Sequence, residues 1–289
     1  MIIILSRDAE LYSTRSLKEA FSRNGEEVKI IDALRLVVKI GRGVYLDGEE
    51  VCPKLVIPRF SAAILLAGLA AIREWERMGV PVLNSSAGLE VAHDQLRSLQ
   101  RLSAAGIRVP ESSFCSQPYG ESTFELLIGE VPKVIKLLDG SQGNGVNLVH
   151  DYAGAKSLLS TLATLRSSGV IQRFYGEAQG CDYRIVMYRG VVLGAIRRIA
   201  AQGDFRANVH QGGRVERFEP SAEQVDLSHQ AMLAVGVDFA GVDLIDTAEG
   251  SRVLEVNASP GFEGVEGGQF TSVTSMLAQV VADRILGAQ

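Results

Sequence analysis

Three oxygen-bearing side chains near the C-terminus have spacings that suit a metal site. Glu255 and Asn257 are separated by one residue in a segment whose composition predicts a strand. Side chains alternate between the two faces of a strand, so both would point to one face, with Leu254 and Val256 facing a core on the other. Asp243 is a lone acid in an apolar segment upstream, and a strand–turn–strand arrangement would place it beside Glu255. Such oxygen ligands suit Mg²⁺ bound to phosphate, although Glu255 and Asn257 alone could form an ordinary exposed strand face.

A lysine followed by a glycine-rich loop is the second candidate for chemistry. Lys136 lies inside a predicted apolar strand, where a charge needs an anion. The loop that follows contains Gly140, Gly143 and Gly145, and it could bring backbone N–H groups close to phosphates or be a simple hairpin turn. Because no Gly-Lys-Ser or Gly-Lys-Thr follows these glycines, the segment is not a Walker loop.

Arginines crowd the region between the two candidates. Asp182 and Arg184 are separated by one residue, as are Arg206 and Asn208, and His210 follows two residues later. Arginine pairs bidentately with carboxylates or phosphates, so we hypothesise that this region binds an acidic substrate. The alternative is that many of these side chains are simply solvated, since arginine exceeds lysine throughout the chain. The arginines are Arg173, Arg184, Arg189, Arg197, Arg198, Arg206, Arg214 and Arg217.

The elements that must position these residues fall into three successive units. Strands alternate with helices in residues 1–90, which predicts a small doubly wound α/β domain. Residues 91–177 are predicted to form a hairpin-containing unit, and residues 178–289 a mixed α+β unit, so that a nucleotide would bind in a cleft between units. The four strands predicted in the first unit are Met1–Leu5, Val28–Ile31, Leu55–Pro58 and Val80–Leu83.

Composition narrows the class of protein. The chain has 289 residues with a formal charge of −5, which gives no reason to expect nucleic-acid binding. Its three cysteines are widely spaced and favour neither a disulfide framework nor a zinc site, which fits a reducing compartment. No signal peptide is recognised and no apolar stretch is long enough to span a membrane, so we expect a cytoplasmic protein without a membrane partner.

Six motifs, taken in chain order, resemble the RimK-type α-L-glutamate ligases of the ATP-grasp superfamily. They run through nearly the whole chain, and the last three are the most specific. They are LSRDAELYS near the start, VIPR at Val56–Arg59, EAQGCD at Glu177–Asp182, GDFRANVHQGG at Gly203–Gly213, AGVDLI, and EVNASPGFEG at Glu255–Gly264. The resemblance implies an ATP-grasp fold, in which an N-terminal α/β domain precedes two α+β subdomains that clasp ATP.

The resemblance also implies roles for the residues that could contact the nucleotide. Lys136 would contact its phosphates, and the loop Gly140–Gly145 would close over them. Asp182 would lie near the ribose. Arg206 and Asn208 would touch the phosphates and the acyl phosphate, as the residues closest to the chemistry.

The reaction implied by the resemblance is a carboxylate–amine ligation. Asp243, Glu255 and Asn257 would hold two Mg²⁺ or Mn²⁺ ions. ATP would convert a carboxylate into an acyl phosphate, and the amine of glutamate would then displace phosphate. The acceptor would be a C-terminal glutamate of a peptide or protein, such as a ribosomal protein tail. A small-molecule acceptor or another amino acid remains an alternative, and a homo-oligomer is possible because symmetric assembly is common among such enzymes.

Two positions depart from the family pattern. Gln95 stands where the family usually has lysine, and Arg173 stands where it usually has glutamate. Backbone groups of Arg173 and Phe174 could still bind adenine. The departures keep open a second alternative, in which the protein binds a nucleotide in a regulatory role without turnover. A Rossmann oxidoreductase is disfavoured, because the first strand is not followed by G-x-G-x-x-G.

Overall fold

A computed structural model gives the structure of the chain. It describes residues 1–118, 120–138, 145–207, 212–267 and 272–283. Those residues form four β-sheets flanked by helices. Within these ranges, none of the helices combines the length and the apolar character needed to cross a membrane.

A small parallel sheet organises the N-terminal unit. Its elements are β1 (Ile2–Leu5), α1 (Tyr12–Arg23), β2 (Val28–Ile31), β3 (Leu36–Lys39), β4 (Gly43–Leu46), β5 (Glu49–Glu50), β6 (Leu55–Pro58), α2 (Leu65–Arg77) and α3 (Ser86–His93). The strand order is β2-β1-β6, and both β1 and β6 are buried along their whole length. Continuous burial is expected of parallel strands that are covered on both faces, which is why these segments are uniformly apolar.

Two features of this unit differ from the expectation. β3, β4 and β5 form a separate antiparallel sheet, which the sequence pattern did not reveal because these strands carry few buried residues. The expected fourth strand, Val80–Leu83, makes only one parallel bridge, between Val82 and Val56. It stays short because Pro81 has no N–H to donate and Ser85 already caps α3, accepting from the Gly88 backbone N–H at 3.2 Å.

The central unit contains an antiparallel sheet with two helices packed on one face. Its elements are α4 (Gln95–Ala104), β7 (Ser112–Phe114), α5 (Glu121–Ile128), β8 (Lys133–Leu137), β9 (Val146–Val149), α6 (Tyr152–Thr164) and β10 (Gly169–Arg173). The strand order is β7-β10-β8-β9. Phe124, Leu159 and Ile135 pack together in the core formed by α5, α6 and the sheet. Because side chains alternate along β8, Val134 and Lys136 point away from this core.

The C-terminal unit is a five-stranded antiparallel sheet. Its elements are β11 (Cys181–Tyr188), β12 (Val191–Ile199), β13 (Arg214–Arg217), α7 (Ala222–Val235), β14 (Phe239–Thr247), β15 (Gly250–Asn257), α8 (Glu263–Glu266) and α9 (Val273–Val281). The order is β13-β12-β11-β14-β15. One face packs Ile185 and Met187 into the same core as residues of α7. On the other face, Tyr188 packs among the residues of α9, whereas the opposite end of β11 carries the polar Asp182 and Arg184.

Asn84 joins the N-terminal unit to the C-terminal sheet. Its side chain is 1% exposed and makes four hydrogen bonds to backbone atoms of the C-terminal unit. Nδ2 donates to the carbonyls of Phe239 and Ala258, and Oδ1 accepts from the N–H groups of Asp238 and Phe239. Buried backbone groups need such partners, so this residue fixes how the first unit sits on the last.

Candidate functional site

A cleft of about 1600 Å³ lies where the three units meet. It is lined by most of the residues that the sequence singled out: Lys136, Arg173, Phe174, Asp182, Arg206, Asp243, Glu255 and Asn257. Gly145 ends the glycine-rich loop with a positive φ of 81°, and its carbonyl accepts from the Leu137 N–H at 2.9 Å. Gly140, Gly143, Asn208 and His210 lie outside the described residues.

The three expected metal ligands come together on β14 and β15. Asp243 is paired in register with Glu255, and Gly241 with Asn257. The side chains of Asp243 and Glu255 therefore project from one face of the sheet. The expectation that Leu254 points to the core is wrong, since the register shifts between Asp243 and Leu244 and Leu254 lines the cleft. The β-bulge gives β15 one extra residue, so that alternation is interrupted at that point.

Two arginines, Arg184 and the buried Arg198, hold the carboxylates of this sheet. Arg184 binds Asp243 bidentately, with Nε to Oδ1 and Nη2 to Oδ2 both at 2.7 Å. Arg198 binds Asp182 through Nε at 2.6 Å and Nη2 at 2.8 Å, and its Nη2 also donates to Asp243 Oδ2 at 2.7 Å. Arg184 Nη2 lies 3.5 Å from Oε1 of Glu255. These five residues form a continuous ionic network, which we call the sheet wall of the cleft.

Register explains why the network forms. Asp182 faces Arg198 across β11 and β12, and Arg184 faces Asp243 across β11 and β14. Cross-strand neighbours on one face are close enough for their side chains to meet. The side chains of Arg198 and Asp243 are each 4% exposed, so the pairing takes place almost entirely out of water. A buried charge is tolerated only when it is paired and hydrogen-bonded, as both are here.

The pKa values of the carboxylates diverge because their surroundings differ. Burial would raise the pKa of Asp243, but Arg184 and Arg198 hold it well below its ordinary value. Glu255 keeps 48% of its side chain accessible. Desolvation within the cleft, followed by the charge of Asp243, raises its pKa to about 7. Asp243 is thus a fixed anion, while Glu255 is the carboxylate that most needs a further cation.

Lys136 faces the sheet wall from the central unit. Burial lowers its pKa, and the charges of Glu255, Asp243 and Asp182 offset part of that effect. No ion pair joins its Nζ to a carboxylate among the residues that the structure describes. A buried ammonium in this position is a ready partner for an anion bound in the cleft.

The remaining expected nucleotide contacts occupy the cleft margins. Phe174 packs edge-to-face on Phe205, with ring centroids 6.1 Å apart. The backbone N–H of Arg173 donates to Glu111 at 2.9 Å, so this amide does not point freely into the cleft. Gln95 begins α4 and also lines the cleft.

The arginine-rich region is mostly neutralised within the protein. Seven of its eight arginines have a carboxylate within 4.0 Å, including Arg206, which pairs with Asp204 at 2.9 Å. Arg206 lowers the pKa of Asp204 to about 2. Arg173 is the exception among the described residues, and its guanidinium lies 5.3 Å from the Tyr175 ring centroid. Most of the charge in this region therefore stabilises the fold or the site instead of forming a free basic surface.

Comparison with known proteins identifies the family of the chain. A model of the RimK-like ATP-grasp domain matches residues 92–281, and a model of the RimK pre-ATP-grasp domain matches residues 1–89. The chain belongs to the RimK-like ATP-grasp family. The expectations of an ATP-grasp fold, of an N-terminal pre-ATP-grasp region and of ligase-family membership are confirmed.

Individual relatives of this RimK-like protein agree with the family models. A probable alpha-L-glutamate ligase 2 of Shewanella sp. (strain MR-4) is 37% identical over 100% of this chain and 98% of its own length. A probable alpha-L-glutamate ligase of Thioalkalivibrio sulfidiphilus is 40% identical over 92% of this chain and 89% of its own. The ATP-grasp ligase PsnB, solved with a phosphomimetic variant of a minimal precursor, Mg and ADP, superposes with a TM-score of 0.76 at 23% identity, covering 98% and 97% of the two chains. That last likeness concerns the fold alone.

The donor set of the RimK-like cleft fits a hard divalent cation. Among the described residues, no group of three or more His, Cys, Asp or Glu side chains is arranged as a metal site, so such an ion depends on the amide of Asn257 as well. Asn257 Oδ1 accepts one bond, from the Ser259 N–H at 2.9 Å, and Asp243 Oδ1 accepts one from Arg184. An amide or carboxylate oxygen has two lone pairs, so each retains one for a metal. Carboxylate and amide oxygens are ligands that Mg²⁺ accepts.

Sequence reasoning missed the partners of these ligands. Arg184 and Arg198 were counted among a basic cluster, but their pairing with Asp243 and Asp182 depends on strand register, which no local pattern reveals. A lone acid within an apolar strand was the available signal, because a buried carboxylate must be paired. Arg59 ends the motif VIPR, and nothing in the sequence indicates that it lies half-buried on the N-terminal side of the cleft.

Proposed function

We propose that this protein is an ATP-dependent carboxylate–amine ligase that adds L-glutamate to a C-terminal glutamate of a peptide or protein. The carrying observation is the cleft itself, in which the carboxylates of the sheet wall face Lys136, a cation that has no ion pair among the described residues. Membership of the RimK-like ATP-grasp family supports ATP as the co-substrate. Relatives named probable alpha-L-glutamate ligase, 37–40% identical to this chain, support glutamate as the amino acid.

The proposed reaction proceeds in two displacements. A carboxylate oxygen of the acceptor attacks the γ-phosphorus of ATP, and the bond to ADP breaks. The amine of glutamate then attacks the resulting acyl carbon, loses a proton and displaces phosphate. Such a transfer requires in-line placement and charge neutralisation more than covalent participation by the protein. Lys136 and Arg206, which line the cleft, are suited to neutralise the transferred phosphoryl group, with Asn208 assigned beside them as a proposal.

The remaining assignments follow from position in the cleft. Asp243, Glu255 and Asn257 would hold the divalent ions, two in this proposal, and a bound ion would shield the negative charge of the phosphates. The loop containing Gly140, Gly143 and Gly145 would contact the phosphates through its backbone N–H groups. Nucleotide contacts are assigned further to Arg173, Phe174 and Asp182.

A peptide acceptor is favoured over a small molecule. PsnB, which shares the fold, was solved with a minimal precursor. An acidic C-terminal tail, such as that of a ribosomal protein, is the proposed acceptor class. The cleft of about 1600 Å³ is large enough for a nucleotide together with the end of a peptide chain.

Phosphate release and product masses test this proposal together. The protein is mixed with ATP, Mg²⁺ and glutamate, with and without a peptide that ends in glutamate. We expect acceptor-dependent phosphate release and products that increase in mass by glutamyl units. Replacing Glu255 by Gln should abolish both, whereas Glu219→Gln, at an exposed position, should change neither.

Two other outcomes would redirect the assignment. Release that requires a free amino acid or another small acceptor, and not the peptide, would identify a small-molecule ligase. ATP binding without release in any mixture would favour a regulatory nucleotide-binding protein, and Gln95 and Arg173 would then be the first residues to revert to lysine and glutamate.

A further inference from the structure

Arg59 is a half-buried cation on the N-terminal side of the cleft. It follows β6 directly, and its backbone N–H donates to Leu5 at 2.8 Å, so its main chain is fixed by the parallel sheet. Its Nη2 donates to Ser13 Oγ at 2.9 Å. Its Nε and Nη1 are buried, and neither has a hydrogen-bond partner within the described part of the chain. Nη2 keeps a second N–H besides the one given to Ser13, so together with either Nε or Nη1 it can still form the two parallel bonds to an anion that a planar guanidinium favours.

The charge balance around Arg59 differs from that on the sheet wall. Among the described residues, none lies within 4.0 Å of it as an ion pair, whereas Arg184 and Arg198 on the sheet wall are both paired. Its guanidinium lies 5.0 Å from the Phe262 ring centroid, a contact that supports a cation without neutralising it. Burial lowers the pKa of Arg59 to about 10, so the group remains charged at neutral pH. A buried, charged and unpaired group of this kind is best explained by an anionic ligand.

Arg59 also lies beside the end of the cleft where chemistry is proposed. Ser259 Oγ donates to the carbonyl of Pro58 at 3.4 Å, and the Ser259 N–H donates to Asn257 Oδ1 at 2.9 Å. A short chain of contacts therefore links Arg59 to an expected metal ligand. Tyr12, which begins the helix α1, lines the same side of the cleft, and a helix N-terminus favours negative charge.

We propose that Arg59, supported by Ser13 and the N-terminus of α1, binds a non-reacting carboxylate of an amino-acid substrate. The inference rests on the proposed ligase function and deepens it by assigning a specificity residue to the site. Both glutamate and an acceptor that ends in glutamate carry a carboxylate that takes no part in bond formation. Bidentate pairing with that group would hold the substrate in one orientation while its reacting atom approaches the phosphates.

Binding measurements with carboxamide analogues test the assignment without requiring turnover. Calorimetry with Mg²⁺ and a non-hydrolysable ATP analogue compares glutamate with glutamine and with glutamic acid α-amide. In parallel, a peptide ending in glutamate is compared with one ending in glutamine. In the wild-type protein, we expect one analogue to bind at least about 30-fold more weakly than its parent, as for a buried charge pair that loses one partner. Whether the loss occurs with the free amino acid or with the peptide identifies the substrate that Arg59 holds.

The Arg59→Gln variant removes the proposed protein partner of the carboxylate, as the analogues remove the carboxylate itself. It should bind the parent substrate at least about 30-fold more weakly and lose discrimination between parent and analogue, to within about threefold. Arg59→Lys should keep part of the affinity but lose geometric selectivity, because an ammonium lacks the planar fork. Ser13→Ala, which removes only the bond that orients the guanidinium, should give a smaller loss. Affinity for the ATP analogue should not change in any of them.

The outcomes separate this inference from the proposed function. The matched control is Arg35→Gln, at an exposed arginine paired with Asp47, which should behave as wild type. Full discrimination in Arg59→Gln, in a protein that still binds the nucleotide, would overturn the inference, as would a wild-type protein that binds neither glutamate nor the peptide. Failure of the ligase assignment would look different, since substrates would bind with the expected discrimination but no phosphate would be released.

Discussion

The two sides of the cleft differ in whether their charged side chains are ion-paired. On the sheet wall, the side chains of Asp243 and Arg198 are each 4% exposed and joined at 2.7 Å. On the N-terminal side, Nε and Nη1 of Arg59 are buried and have no partner among the described residues. Lys136, on the central unit, resembles Arg59 in being buried without an ion pair in the described ranges. The same cleft therefore contains charges that are neutralised by the fold and charges that are left for a ligand.

This difference separates what shapes the site from what binds in it. A paired network keeps its geometry before any substrate arrives, which is the preorganisation that catalysis of phosphoryl transfer requires. An unpaired buried cation costs folding free energy, and ligand binding can recover that cost. Substitutions on the sheet wall should therefore reduce stability and activity together, whereas substitutions of the unpaired cations should reduce ligand affinity without loss of stability.

The largest effect is expected from Asp243→Asn. The substitution removes the anion shared by Arg184 and Arg198, so both guanidinium groups lose charge compensation in a buried place. We expect the free energy of unfolding to fall by about 3 kcal/mol, the size typical of a broken buried ion pair. Acceptor-dependent phosphate release should fall by at least about 10²-fold. Chemical denaturation and a phosphate assay measure the two quantities.

A matched pair on the same sheet provides the control. Asp238 and Arg189 are joined at 2.7 Å, but both side chains are 44% exposed. Asp238→Asn should therefore cost less than about 1 kcal/mol, as exposed ion pairs usually do. If Asp243→Asn were no more destabilising than Asp238→Asn, the sheet wall would not be a preorganised network.

Much of the sheet wall was predictable from the sequence, and its limits have a physical cause. Alternation along a strand and a short turn were enough to place Asp243 beside Glu255. The bulge that turns Leu254 into the cleft could not be predicted, because a one-residue register shift leaves no local signature in this segment. The roles of Arg184 and Arg198 depend on which strands are neighbours in the sheet, and neighbour order is a property of the whole fold.

The N-terminal side was less predictable. Arg59 follows an apolar strand, and the sequence does not indicate whether a carboxylate meets it in the folded protein. The sheet of β3, β4 and β5 escaped prediction because its short strands carry only two fully buried residues, both on β4. The domain boundaries at residues 90 and 177 remain predictions, and so do the roles assigned to Gly140, Gly143 and Asn208, which lie outside the described residues.

Lys136→Met should produce the opposite pattern to Asp243→Asn. The substitution replaces a desolvated ammonium, which has no ion pair in the described part of the chain, by an apolar side chain of similar length, so the desolvation cost of the charge disappears. We expect the free energy of unfolding to stay constant or to rise by about 1 kcal/mol. Affinity for ATP should fall about 10- to 100-fold, because a charge-assisted bond to phosphate is lost. Denaturation curves and nucleotide titration by fluorescence give both values.

Lys133→Met is the control on the same strand. Lys133 is the first residue of β8, and its substitution should change neither nucleotide affinity nor stability by more than about 0.5 kcal/mol. A loss of stability in Lys136→Met would contradict the view that this charge is uncompensated in the absence of a ligand.

The smallest effect is expected at Glu74. Its substitution tests whether the contribution of a charge to stability depends on its partners and not on the unit in which it lies. Glu74 belongs to the same N-terminal unit as Arg59 but is fully satisfied: Arg77 Nη2 donates to Oε1 at 2.6 Å, and the N–H groups of Gly43 and Gly41 donate at 3.0 and 3.3 Å. The bond from Arg77, with these backbone bonds, lowers the pKa of Glu74 below its ordinary value of 4.5. A lowered carboxylate pKa means that the folded state binds the proton less tightly than the unfolded state, so the stabilisation is complete above about pH 4.5 and is lost as pH falls through the lowered value.

Glu74→Gln should therefore be less stable than the wild type at pH 7, and the difference in unfolding midpoint should shrink below pH 4.5. Glu49→Gln, at an exposed position of β5 in the same N-terminal unit, should show no such pH-dependent difference. A difference that persisted unchanged at low pH would mean that Glu74 acts through shape alone, and that charges in this unit do not follow the rule drawn from the two sides of the cleft.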